Sequence, residues 1–138
     1  MRRLLSIILL AIISAMTINA GVLDDKCREI ADALRAGDVD DAEDRATEVY
    51  ARKTDCTAQN LADLTITYHQ LTQRATDAVS RYDYVLKAID CHKSAVAKDA
   101  DAAANRYRSA GYNMDAIIAD YKAHLSDYRN AVSESMNF

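Results

Sequence analysis

A chain of 138 residues without a single proline, and with glycine only at positions 21, 37 and 111, has few places at which a helix is obliged to stop. Proline and glycine are the strongest helix breakers, whereas alanine, which recurs throughout this chain, is the best helix former. The composition therefore dictates an all-α fold and directs attention to Gly37 and Gly111 as the two internal joints.

Apolar spacing divides the chain between those joints. Leu23, Cys27, Ile30 and Leu34 recur at steps of three and four, as do Val79, Tyr82, Leu86 and Ile89. Each set covers one face of a helix. Ala42, Ala46 and Val49 form another stripe, and so do Leu61, Leu64, Tyr68 and Leu71. A fifth runs through Val96, Ala100, Ala103, Tyr107 and Ala110, and the longest through Met114, Ile117, Tyr121, Leu125, Tyr128 and Val132. The spacing predicts six helices, over 23–36, 39–53, 58–73, 77–90, 93–110 and 113–135.

The segments around the two glycines echo each other, as Ala36-Gly-Asp-Val-Asp-Asp-Ala42 and Ala110-Gly-Tyr-Asn-Met-Asp-Ala116. A glycine directly after a helical stripe suits a left-handed helix end. Asp38 or Asp40, and Asn113 in the later copy, then serve as acceptors for the free amides of the next helix. Ala42 and Ala116 place a small side chain early in that helix. A middle copy ends in Asp77-Ala78 without its glycine, so Asp-Ala recurs at 41, 77 and 115. A helix pair repeating at such a period is the mark of an α-solenoid.

Ala102 to Leu125 resembles the tetratricopeptide repeat family and its close relatives with slightly longer units. Ala103, Ala104 and Tyr107 fill the first-helix places of that pattern, Gly111 its turn, and Ala116 and Ala123 the alanines of its second helix. The first unit matches through Leu34, Gly37, Ala42 and Val49, the middle one through Leu64, Tyr68, Ala78 and Tyr82. The family's terminal proline is absent, and Tyr121 stands one residue late. The resemblance implies six antiparallel helices arranged as three helix-turn-helix units, about 23–56, 57–91 and 92–135. A compact irregular helical bundle would carry the same stripes and is the alternative. The resemblance further implies a concave side lined by the first helix of each pair. Lys98, Asp101, Asn105, Arg108 and Ser109 would lie there, with Gln59, Asp63 and Gln70 from the third helix.

Residues 1–20 read as a cleaved secretory signal peptide. Met1-Arg2-Arg3 is basic, Leu4 to Ile18 is apolar but shorter than a bilayer span, and Ala20 suits the peptidase. The expected product is a single domain, 21–138, in the periplasm or outside the cell, with no stable membrane insertion. Loss of Arg2 and Arg3 moves the net charge from -4 to -6, which disfavours nucleic acid as a partner. Between Asp24 and Glu48 ten acids face four bases.

An exported chain can keep disulfides, and Cys27 and Cys56 fall at the same end of a predicted antiparallel hairpin. Their pairing is the favoured one, with Cys56 to Cys91 as the alternative and Cys91 otherwise left as a single thiol. Cys91-His92 lacks the further ligands a metal site needs. The run Asp38-Val-Asp-Asp-Ala-Glu-Asp44 fails as a calcium loop, because Ala42 and Glu43 stand where a ligand and a glycine belong. No nucleophile motif surrounds the serines, and the chain is read as a non-enzyme without cofactor or metal. Two functional readings follow: an exported helical module that binds an unidentified protein in the cell envelope, or a small secreted inhibitor or immunity-type protein whose acidic first hairpin plugs a basic target.

Overall fold

The computed structural model describes residues 21–137; the predicted signal peptide lies outside the described residues. Among them the chain forms six α-helices and no strands. Helix α1 covers residues 21–35. It is followed by α2 (Val39–Ala51), a short 3-10 turn (Lys53–Asp55), α3 (Ala58–Arg74), α4 (Ala78–Ser109), α5 (Met114–Ala123) and α6 (Leu125–Met136).

The glycine joints are built alike. Gly37 and Gly111 have φ of 79° and 84°, the left-handed region that only glycine enters freely. At the first joint the amide of Gly37 donates to Leu34 and that of Asp38 to Ala33; at the second, Gly111 donates to Arg108 and Tyr112 to Tyr107. These paired bonds satisfy carbonyls that a helix end leaves open. Asp38 then caps α2 by accepting from the Asp41 amide, and Asn113 caps α5 by accepting from Ala116.

The Asp-Ala echo, however, does not mark equivalent positions. Asp41-Ala42 lies within the first turn or so of α2, Asp77 is itself the cap of α4, and the second glycine joint is one residue longer than the first. On a helix each residue of offset rotates a side chain by about 100°. Ala42 is accordingly buried, whereas Ala116 is exposed and is not the close-packing alanine expected of it.

Helix number agrees with the sequence reading, but the chain is divided differently. The predicted fourth and fifth helices run together as α4, which bends at Asp99 (φ -163°, ψ 97°) instead of near residue 91. Asp99 Oδ1 accepts from the Ala102 amide at 3.1 Å, so it caps the continuing segment 100–109. One residue earlier, Lys98 Nζ donates to the carbonyls of Thr54 and Cys56, fastening the bend to the loop before α3. The predicted last helix is broken at His124 into α5 and α6.

Helix α3 occupies the centre. Leu61, Leu64, Tyr68 and Leu71 are buried as predicted, but so are Ala62, Thr65, Thr67 and Thr72 on its other sides. The threonine hydroxyls donate to carbonyls one turn back, at Leu61, Asp63 and Tyr68, so their burial leaves no donor unpaired. Among α2 to α6 the most extensive helix contact is between α3 and α4. Before its bend α4 buries Tyr84, Val85, Ala88, Cys91 and Ala95. Val79 (49% exposed) and Leu86 (40%) of the predicted stripe point outward. Small side chains are confined to the later part of the buried set, Ala88, Cys91 and Ala95, where they let two backbones come close.

All three cysteines are buried and free in this structure, so the Cys27 to Cys56 bridge is not formed here. Burial pushes the Cys27 and Cys91 thiols up to about 12. At neutral pH these side chains are small apolar packing groups with almost no thiolate.

Two substitutions test this account. Gly37→Ala adds a Cβ that meets nothing within 4 Å, so its effect is conformational only. It should lower stability by about 1–2 kcal/mol, seen as a lower urea midpoint at unchanged slope. Among the described residues the Tyr68 hydroxyl is buried without a hydrogen-bond partner. Tyr68→Phe removes that desolvated group and should raise the midpoint, by up to about 1 kcal/mol.

Candidate functional site

Three helices leave a groove of about 900 Å³ between them. Its floor is one face of α3, where Gln59, Asp63, Ile66, Gln70 and Gln73 recur at steps of four and three. One wall is α1, contributing Asp24, Arg28, Ala31 and Arg35 at the same kind of spacing. The other is the post-bend segment of α4 with Arg106 and Ala110, closed off by Tyr112 of the glycine joint. The bend at Asp99 is what turns that segment towards α3.

The walls are tied to the floor by polar contacts. Asn60, 1% exposed, donates from Nδ2 to Asp24 Oδ1 at 2.6 Å while its own Oδ1 accepts from the Thr57 amide. Asn60 thus closes the capping box of α3 and holds α1 at once. Gln70 Nε2 donates to the Tyr112 hydroxyl at 2.7 Å, and Arg74 donates to the Leu34 carbonyl at 3.0 Å, covering the open end of α1. Arg106 Nε donates to Asp63 Oδ1 at 2.6 Å. Burial raises the Asp63 carboxyl above its ordinary value even though Arg106 pulls it down, while Asp63 raises Arg106. The pair is therefore an ion pair whose carboxylate depends on its guanidinium.

Charge in the groove runs against the rest of the chain. Four arginines and two aspartates line it, in a protein whose net charge is -4. Both aspartates are already engaged, by Asn60 and Arg106. Free hydrogen-bonding capacity is thus dominated by guanidinium and amide donors.

The predicted concave residues divide. Gln59, Asp63 and Gln70 line the groove. Asp101 and Asn105 lie beside a shallower hollow on the far side of Arg106, and Arg108 faces another hollow together with His92, donating to Asn105 on its own helix. Lys98 is a structural tie to the loop before α3. The groove arginines and Asn60 were not singled out by the sequence reading, although Arg28 and Arg35 stand seven residues apart and so share a helix face.

Across the 100–109 segment from the groove, His92 Nδ1 shares a hydrogen bond with the Tyr107 hydroxyl at 3.0 Å, and its Nε2 lies 3.5 Å from Asp115 Oδ1. A carboxylate, an imidazole and a phenol in a row suggest a proton relay. Burial, however, pushes Tyr107 up to about 12 and lowers His92. Such a phenol stays protonated at neutral pH, and the row joins both parts of α4 to α5. His69 makes an analogous tie from α3 to Tyr121 of α5, at 2.5 Å. Among the described residues no group of three or more His, Cys, Asp or Glu is gathered so as to hold a metal, and no helix is long and apolar enough to cross a membrane.

Buried His69 and half-buried His92 set the pH response. Burial lowers His69 and also His92, where Asp115 raises and Lys122 lowers the imidazole further. A folded-state value below the unfolded one means that the unfolded chain takes up the proton first, so this stabilisation is complete above about pH 6.5 and is lost as pH falls. The melting temperature should drop between about pH 7.5 and about pH 5, a window set by histidine. His69→Gln should shallow that drop, and exposed His124 replaced by Gln should not.

The chain matches no protein-family model, no curated protein and no solved structure.

Proposed function

We propose that this protein is an exported, non-enzymatic helical-repeat module that binds another protein in the cell envelope, and that the α1–α3–α4 groove is its binding surface. The observation that carries this reading is the composition of the groove: each of its three sides comes from the first helix of one proposed helix-turn-helix unit, namely α1, α3 and the segment 100–109. That is the arrangement a tetratricopeptide-like stack of three units predicts. The two glycine joints, with the same left-handed turn and the same pair of hydrogen bonds, support it as well. A groove with a polar floor of amides suits an extended polypeptide, whose backbone needs donors and acceptors in a row.

A second reading rests on the acidic first hairpin. Asp38, Asp40, Asp44 and Glu48 are exposed on or beside α2, away from the groove. A basic target could be plugged by that surface, with binding that weakens as salt screens it.

Site-specific photocrosslinking in the native cell separates the two. A crosslinker replacing Gln70 should capture a partner protein, and one replacing Asp44 should not. Adducts from position 44 alone, lost at high salt, would favour the acidic hairpin and remove the groove from consideration.

A further inference from the structure

Resting on the groove as the binding surface, we infer that its ligand is an internal, extended peptide segment bearing closely spaced side-chain carboxylates. The argument begins with which cations are spare. Arg106 is committed to Asp63, whose buried carboxylate needs it. Arg74, by contrast, has no carboxylate partner among the described residues; it donates to the Leu34 carbonyl. A guanidinium carries five N–H donors, so most of its capacity stays open. Among the described residues Arg35 and Arg28 pair only with Asp32 and Asp25 on their own helix, and those side chains are 62–72% exposed. Exposed pairs at such spacing contribute little, so either arginine exchanges its partner at small cost.

The geometry then defines the ligand. From Asp63 to Arg74 the floor helix rises about 16 Å. An extended strand covers that length in about five residues and turns alternate side chains, about 7 Å apart, to the same side. Arg28 and Arg35 stand about 10 Å apart along α1 and Arg74 reaches the Arg35 level at the Leu34 carbonyl, so carboxylates on one side of such a strand can meet Arg28 at one end and Arg35 with Arg74 at the other, while the floor amides Gln59, Gln70 and Gln73 serve its backbone. Arginine binds carboxylates in a planar, two-pronged fashion, which favours this class of ligand over a point anion. The acidic surround adds selectivity: outside the groove the chain repels acidic polymers, so only a segment narrow enough to enter it is accepted.

The test uses the purified chain from Gly21 onward and fluorescent peptides of about eight residues, carboxy-terminally amidated, with Glu at alternate positions or with Gln in their place. The acidic peptide should bind, the Gln peptide should not, and affinity should fall steeply between low salt and about 0.5 M salt. Arg74→Gln and Arg35→Gln should each weaken binding about tenfold, with Arg129→Gln on α6 unchanged. Arg35→Gln touches only an exposed pair, so it reports on binding even if loss of the Leu34 contact makes Arg74→Gln unstable. Equal binding of the Gln peptide, or binding of polyphosphate as tight as that of the acidic peptide, would overturn the inference. So would a requirement for a free terminal carboxylate. If no peptide binds while the crosslinker at position 70 still captures a protein, the ligand class is wrong and the groove stands. If position 70 captures nothing either, both fall.

Discussion

The burial of α3 on nearly every side is the constraint from which the remaining structure follows. A helix surrounded in this way must satisfy its polar groups internally, and the threonines of α3 do so by donating to their own backbone. It must also accept neighbours at short range, and α4 buries Ala88, Cys91 and Ala95 beyond Tyr84 and Val85, while Val79 and Leu86 stay exposed. Tyr68 is the one large aromatic carried into the middle. It stacks near Tyr84 and meets Tyr50 edge-on, with Lys87 5.6 Å from its ring centre. Its hydroxyl is desolvated in the process, and the aromatic and aliphatic contacts around it outweigh that cost.

Only the Gln59-to-Gln73 face of α3 escapes enclosure, and it does so because of a bend elsewhere. Had α4 continued straight past Asp99, residues 100–109 would not close the groove. Asp99 caps the new segment, and Lys98 reaches back to the Cys56 and Thr54 carbonyls, so two adjacent residues both break the helix and anchor the break. Replacing either would act on the groove from outside it. The histidine ties to Tyr107 and Tyr121 brace the other side of the same segment, joining it and α3 to α5.

Legibility in the sequence follows the number of available stripes. In α1, α2 and α3 a single apolar stripe exists, and Leu23 to Leu34, Ala42 to Val49 and Leu61 to Leu71 were read correctly. Helix α4 carries two before its bend, and the sequence reading follows the one whose Val79 and Leu86 are exposed, whereas Tyr84, Val85, Ala88, Cys91 and Ala95 are buried and Ile89 is shared with the core edge. The glycine joints were legible since a left-handed turn demands glycine, whereas the Asp-Ala echo misled, because a one-residue change in joint length rotates the helix that follows. Helical spacing places Cys27 and Cys56 at one end of a hairpin; all three cysteines are buried and free here, and no bridge is formed. The groove arginines were hidden by their local acidic neighbours: Arg28 beside Asp25 and Arg35 beside Asp32 look like ordinary solvated pairs until Arg74 and Arg106 arrive opposite them from distant parts of the chain.

Charge segregation is the property that this arrangement creates and that composition conceals. A net charge of -4 describes a chain that avoids polyanions, yet folding collects four arginines along one groove and leaves the excess acid elsewhere. Collecting like charges is unfavourable in itself, and the fold offsets it with the two aspartates of the groove and with helix-end contacts such as Arg74 on the Leu34 carbonyl. Arg106, held by Asp63, keeps its fork fixed, whereas Arg28 and Arg35 stay exposed and exchange their partners at small cost. The acidic hairpin and the basic groove are then two consequences of one partition: α1 gives Arg28 and Arg35 to the groove along with Asp24, while Asp25 and Asp32 stay outside its lining.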